Sequence, residues 1–222
     1  MTIDERALAQ LPLFARFGDD DLREIAPRVR ERAFSSGQTI VLEGEPCRAV
    51  YFVVRGVVRS YRLSREGREQ VLAYLGPGGL FNLVSVLDGE PAMVSVGGVT
   101  EGMLYAVPCD HFRWIVREYH QAALAVTERL ASDVRRLSDM VEDLALHTVR
   151  VRLARFLLTQ AEHPQPPSFQ WTQAEIAAHI GTVREMVGRT LRTFAADGLI
   201  RQEQGRIIVK DRERLEREAA GV

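Results

Sequence analysis

Two cysteines, a single lysine and no apolar run as long as a membrane-spanning helix set the first limits on this 222-residue sequence. Cys47 and Cys109 are too few for a disulfide scaffold, and they lack the spacing of a zinc site or a thiol redox motif. They are also too few for an iron–sulfur cluster, which takes about four cysteines. No stretch approaches the ~18–20 apolar residues that span a bilayer, and Met1–Gln10 carries no basic-then-apolar signal pattern. A cytoplasmic protein without a membrane partner is expected. There is no nucleophile–base set, no metal constellation and no Gly-rich phosphate loop feeding a helix, so no catalytic or metal-ligating residue is assigned and an enzyme is not expected. Gly76-Pro77-Gly78-Gly79 lies between strands and reads as a turn.

What is present is a chain of ordinary make-up, 46% hydrophobic and 27% charged, long enough for two cores. The formal net charge of −1 hides an asymmetry. From Thr148 onward there are 12 basic and 9 acidic side chains, against 17 and 21 before it. A modestly basic C-terminal part is compatible with nucleic-acid binding but does not establish it.

Three periodicities follow one another along the chain. Asp4–Leu11 and a segment opened by Asp19-Asp20-Asp21, with Leu22, Ile25 and Val29, read as short helices; carboxylates suit a helix N-terminus. From Arg32 to about Pro108 the period becomes two, in Thr39–Leu42, Ala49–Val54, Val57–Leu63, Gln70–Leu75 and Met103–Val107, separated by Gly- and Pro-containing turns. Many short strands with regular turns predict an all-β roll or sandwich. Asp110 is then a plausible N-cap after Pro108, and no Pro or Gly interrupts the chain until Pro164. Within that stretch Ala123, Thr127, Leu130, Val134, Leu137, Val141 and Leu144 repeat at alternating spacings of four and three. A 3.5-residue period predicts a helix–helix seam rather than a single-helix stripe, hence a homodimer through Leu130, Val134, Leu137, Val141 and Leu144. The seam ends near His147-Thr148, Val149–Ala161 reads as a further helix, and His163-Pro164-Gln165-Pro166-Pro167 breaks it. The domains expected are 1–108, a sensory roll with its N-terminal helices; 109–146, a dimerisation helix; and 147–222.

The segment from Trp171 to Arg192 points to function. Thr172 with Glu175, and Thr182 with Glu185, have capping-box spacing, and Gly181 supplies a left-handed turn between them. Two short helices joined by a tight Gly turn form a helix-turn-helix, whose second helix enters the DNA major groove. Ile176, Ile180, Val187, Leu191 and Phe194 would be buried, leaving Arg184, Glu185, Gly188, Arg189 and Arg192 on the opposite side. Arginine can pair with guanine through two hydrogen bonds, and a carboxylate can accept from cytosine. Leu199–Val209 reads as a hairpin turning at Gln204-Gly205, a wing that would bring Arg206 near phosphates. His179 on the first helix reads as structural.

The chain resembles the cyclic-AMP receptor protein/FNR family of bacterial transcription regulators over essentially its whole length. The resemblance rests on Gly37, Gly44-Glu45 and Tyr51-Phe52-Val53-Val54-Arg55-Gly56-Val57, then on Glu66-Gly67-Arg68-Glu69 and Leu72-Ala73-Tyr74-Leu75, then on Arg184-Glu185 and Arg189. It implies an α+β fold: an N-terminal jelly-roll β-roll of the cyclic-nucleotide-binding kind, a long dimerisation helix and a C-terminal winged helix-turn-helix. In that family an Arg-Glu-x-x-x-Arg triplet reads a TGTGA-type half-site. This implies base contacts from Arg184, Glu185 and Arg189; a dimer, which sets two such helices about one DNA turn apart, asks for a palindromic operator, and Thr182, Gly188, Arg192 and Arg206 are the further DNA-contact positions expected, Arg192 and Arg206 at phosphates. Glu185 could instead serve its capping box. Double-stranded DNA, a second copy of the chain, RNA polymerase and an unidentified small-molecule effector are the partners considered.

The resemblance breaks in the ligand cassette, Gly78–Ser95. The family's ribose-binding carboxylate falls on Leu83, its phosphate-pairing arginine on Ala92, and its purine-contacting Thr–Ser pair on Leu137-Ser138. No Arg or Lys occurs between Arg68 and Arg113, so no shift of register restores the cation. A phosphate buried there would forgo a charge-assisted bond of ~1.5–3 kcal/mol. No cofactor is expected, and cyclic AMP least of all. The effector-pocket positions are Asn82, Leu83, Ser85, Ala92, Met93, Leu137 and Ser138; the cavity is either filled by its own side chains or open to an apolar ligand. Haem sensing lacks a histidine within the β segment. The rival readings are a haem, redox or small-molecule sensor of the same family, and an effector-binding module acting on a protein partner.

Overall fold

The computed structural model describes residues 3, 5–162, 171–203 and 206–221, which form two compact units: 1–62 with 72–135, and 63–71 with 136–222. Helices α1 (Glu5–Ala9) and α2 (Asp19–Ile25) precede strands β1 (Arg30–Phe34), β2 (Thr39–Val41), β3 (Ala49–Arg55), β4 (Val58–Leu63), β5 (Glu69–Leu75) and β6 (Leu80–Phe81). After α3 (Leu83–Asp88) come β7 (Ser95–Gly98) and β8 (Gly102–Pro108). The strands build two four-stranded sheets, ordered β1-β8-β3-β6 and β2-β7-β4-β5. This is the expected β-roll.

Strand β3 explains why its sequence does not alternate. Ala49, Tyr51 and Val53 face the space between the sheets with Phe34, Val58 and Leu104. Val50 and Phe52 face the other way, into a cluster with Phe14, Val86, Phe112 and Ile115. A strand covered on both faces reads as a continuous apolar run. Each such side chain contributes about 1.5–3 kcal/mol on burial. Its neighbour β8 repeats the arrangement, with Leu104 on one side and Tyr105 and Val107 on the other.

The uninterrupted helix expected from Asp110 is two helices. Helix α4 (Cys109–Glu118) starts directly after Pro108, and Asp110 is an exposed partner of Arg113 rather than the cap. Tyr119 then leaves helical geometry (φ −111°, ψ 108°), and α5 (His120–Leu146) begins. The break lets the Tyr119 hydroxyl donate to Glu24 Oε2 at 2.9 Å while its ring packs edge-on against Trp114. With no Pro or Gly involved, nothing local in the sequence marks it. On α5 the expected seam emerges from the core: Leu130 is half-buried, whereas Val134 and Val141 are 66% and 65% exposed, and Leu137 and Leu144 are exposed as well. The division between the units falls within this helix, at Arg135/Arg136; the backbone leaves helical geometry between Leu146 and Val149.

The second unit continues with α6 (Val149–Glu162), α7 (Gln173–Ile180), α8 (Arg184–Ala196), β9 (Ile200–Glu203), β10 (Arg206–Val209) and α9 (Arg212–Ala220). Leu153, Phe156, Ile176, Val187, Leu191 and Phe194 make its core, closed by Leu215 of α9. Helix α9 has only Leu215 and Ala219 buried, too few to show a periodic face. It is held by its N-cap Asp211, which accepts from the Arg214 amide, and by a forked pair in which Arg150 Nε and Nη2 each donate to Glu218 at 2.5 Å. The same guanidinium stacks over Phe194, 4.8 Å from the ring centre. Its hydrogen bonds hold the Glu218 carboxyl below its usual range. The break expected at His163–Pro167 and the turn at Gln204-Gly205 lie outside the described residues.

Candidate nucleic-acid interface and effector region

Helix α7 opens on the expected capping box. The Thr172 amide donates to Glu175 Oε2 (2.8 Å), and the Glu175 amide donates to Thr172 Oγ1 (3.2 Å). It closes on Gly181 in the left-handed region (φ 71°), with the amides of Gly181 and Thr182 both donating to the Ala177 carbonyl. That use of Thr182 corrects the second capping box. Val183 is the N-cap of α8, so the reciprocal partner position is Met186 and not Glu185. Glu185 therefore sits in the first turn with its carboxylate exposed, where the helix dipole favours it.

Along α8, Val187, Leu191 and Phe194 are buried and Arg184, Glu185, Arg189 and Arg192 are exposed. Gly188 is corrected as well: it is buried, and a Cβ there would come within 2.9 Å of Gln173 Oε1. It lies under the Gln173 side chain rather than on the outer surface. Thr182 is half-buried beside the turn, and Arg206 is exposed at the start of β10.

Two sets stand out among the arginines of this unit. Arg150, Arg155, Arg201, Arg212, Arg214 and Arg217 pair with carboxylates. Among the described residues no ion pair engages Arg184, Arg189, Arg192 or Arg206. Guanidiniums left without internal partners on an exposed helix face and a hairpin are suited to phosphate oxygens or guanine edges. Beneath them His179 packs between Phe156 (5.3 Å) and Trp171 (5.5 Å). Burial, and secondarily the charge of Arg136, pushes its ring down to about 4.

In the cassette region Asn82 is the one non-glycine residue in the left-handed region among the described residues (φ 65°). Its Nδ2 donates to the Ala49 carbonyl at 2.8 Å and it forms the N-cap position of α3. Leu83 and Ser85 are buried, with Ser85 Oγ donating to the Pro91 carbonyl (3.1 Å). Ala92 is buried too: its amide donates to Glu45 and its carbonyl accepts from Gly44. Met93 is 50% exposed. Leu137 and Ser138 are exposed on α5, in the second unit. The left-handed Asn82 had no clear sequence signal, although asparagine tolerates that region better than other residues with a side chain.

Residues 31–119 match the cyclic nucleotide-binding domain family, and residues 151–218 match the Crp-like helix-turn-helix domain family. The cyclic AMP receptor protein of Thermus thermophilus is 30% identical over 95% of this chain and 98% of its own length. This chain belongs to the Crp/Fnr family of transcription regulators. Within the family it is also similar to a CRP-like cAMP-activated global transcriptional regulator of Mycobacterium tuberculosis, 29% identical over 97% of this chain and 99% of that one. Among solved structures, FixK2 of Bradyrhizobium japonicum matches 85% of the chain, and 96% of its own, at 25% identity with a TM-score of 0.74. A Crp/Fnr regulator with a helix-turn-helix DNA-binding domain accounts for the chain's second unit.

The environment of His179 makes a measurable prediction. An unfolded histidine titrates near 6.5, and a folded value near 4 means that the unfolded chain binds the proton first. The stability from burying the neutral ring is fully present above about pH 6.5 and is lost as the pH falls from there toward about 4. An NMR titration of the His179 ring should find it neutral at pH 6; a midpoint at the ordinary value would contradict the packing described.

Proposed function

We propose that this protein is a homodimeric, cytoplasmic, sequence-specific DNA-binding regulator that reads a palindromic, TGTGA-like operator through α8 and does not depend on a cyclic nucleotide. The observation that carries the DNA reading is the set of exposed arginines on α8 that have no carboxylate partner, beside a set that does. In the proposed complex Arg184, Glu185 and Arg189 meet base edges, while Arg192 and Arg206 meet phosphates. The exposed Val134, Leu137, Val141 and Leu144 support dimerisation, since a solvated apolar stripe of heptad spacing gains by covering itself with its own copy. In this reading residues 1–108 are the sensory roll, 109–146 the dimer helix and 147–222 the DNA-binding domain. Independence from cyclic nucleotides is supported by buried Leu83 and Ala92 where the family carries a carboxylate and an arginine. With their side chains inside the roll's apolar clusters, the filled cavity is the better of the two readings.

Three measurements test these statements. Arg189→Ala should lower operator affinity by ~1–3 kcal/mol and relax preference at one base pair per half-site, whereas Arg206→Ala should weaken all sequences alike and reduce the salt slope by ~1. Selection from random DNA separates the two, and recovery of an unchanged motif by the Arg189→Ala protein contradicts the specificity assignment. Replacing Val134 and Leu137 together by glutamate should give monomers with weak operator binding; a stable dimer by light scattering would refute the seam. Calorimetry should show no micromolar binding of cyclic AMP or cyclic GMP, and binding of either would overturn nucleotide independence.

A further inference from the structure

Cys47 and Cys109 stand 62 residues apart in the sequence, yet their Sγ atoms lie 3.1 Å apart. The sheet brings them together. Ala49 of β3 is paired with Pro108 of β8, and the residues flanking that pair include Cys47, before β3, and Cys109, the first residue of α4. The Cys109 amide also donates to the Arg48 carbonyl at 3.2 Å, which fixes the backbone between the two thiols. Their proximity is therefore a property of the β3–β8 ladder rather than of a chance rotamer.

The two sulfurs have unequal surroundings. Cys109 is buried, and burial together with its hydrogen bond to Cys47 pushes its thiol up to about 12, so it keeps its proton. Cys47 is half-exposed and receives a contact from Asn82 Nδ2 at 3.4 Å; both cysteines border a groove of about 440 Å³ lined also by Arg48, Pro91 and Arg113, with Cys47 the more exposed of the two. Among the described residues no third His, Cys, Asp or Glu joins the pair to make a metal site.

We propose that Cys47 and Cys109 form a hydroperoxide-oxidisable dithiol that closes to an intrachain disulfide. The accessible Cys47 sulfur attacks one oxygen of the hydroperoxide: an S–O bond forms, the O–O bond breaks, and the remaining oxygen leaves as water or an alcohol with the thiol proton. Cys47 is then a sulfenic acid. The Cys109 sulfur attacks the Cys47 sulfur, the S–S bond forms, and the S–O bond breaks to release water with the Cys109 proton. In sum, two thiols give up two electrons and two protons to one hydroperoxide. Closure requires the sulfurs to approach by about 1 Å, to a disulfide length of about 2.05 Å.

The test uses the full-length protein, reduced, desalted and then titrated with hydrogen peroxide. Titratable thiols should fall from two per chain to none, with a mass loss of about 2 Da. A non-reducing peptide map should join Cys47 to Cys109 within one chain, and dithiothreitol should restore both thiols. In the Cys109→Ser protein Cys47 should stop at a dimedone-reactive sulfenic acid, and in the Cys47→Ser protein Cys109 should stay unreacted. If either variant fails to fold, the wild-type peptide map decides alone. Thiols that persist through excess peroxide, over-oxidation of Cys47 beside a free Cys109, or a cross-link between chains would each overturn the proposal.

Discussion

The roll depends on one antiparallel pair of strands. β3 and β8 run through its middle, paired from Ala49 and Pro108 to Arg55 and Met103, and each buries side chains on both faces. One face closes the space between the two sheets; the other supports α3, α4 and the N-terminal helices. Losing a central side chain such as Phe52, fully buried on the helix side, would thus loosen the helices without opening the sandwich. The same ladder sets what lies at its ends. Asn82, which reaches back to the Ala49 carbonyl, and the two cysteines beside the Ala49–Pro108 pair are positioned by it.

In the second unit charge divides the work. Arg150 shows what an arginine does when it is structural: it forks onto Glu218, reaches Asp197 at 3.2 Å and stacks on Phe194. That one side chain ties α6 to α9 and to the end of α8. A surface pair is worth little by itself, but this one is partly buried, and a two-point bond with a stacked ring is better ordered than a surface contact. The arginines on the outer side of α8 have none of this. Their charge is uncompensated within the chain, which costs little in water and leaves them available to a polyanion.

Much of the organisation was legible in the sequence because it rests on local chemistry. The change from period two to a helical period, the Thr172–Glu175 capping box and the left-handed Gly181 each depend on a few neighbouring residues, and each is found. What was not legible depends on partners distant in the chain. Tyr119 at the helix break bonds Glu24, helix α9 is tied by Arg150, and the approach of Cys47 to Cys109 is set by strand pairing. Gly188 was misplaced for a related reason. A glycine adds nothing to an apolar pattern, so only the packing of Gln173 against it shows which way it faces.

The cassette is where family membership and this chain's chemistry pull apart. The cassette's turn and helix α3 are present, with Asn82 in the left-handed region before α3, and Leu83, Val86 and Ala92 are buried there. Leu83 and Val86 belong to the cluster that holds α4 and α5 against the roll, and Ala92 belongs to the cluster between the sheets. An arginine at position 92 would have to bury its charge or displace the loop whose backbone bonds Gly44 and Glu45. The apolar cassette thus stabilises the roll with the residues that, in a nucleotide-binding relative, would be spent on the ligand. The half-exposed Cys47 lies beside that cassette, in contact with the same Asn82 that begins α3.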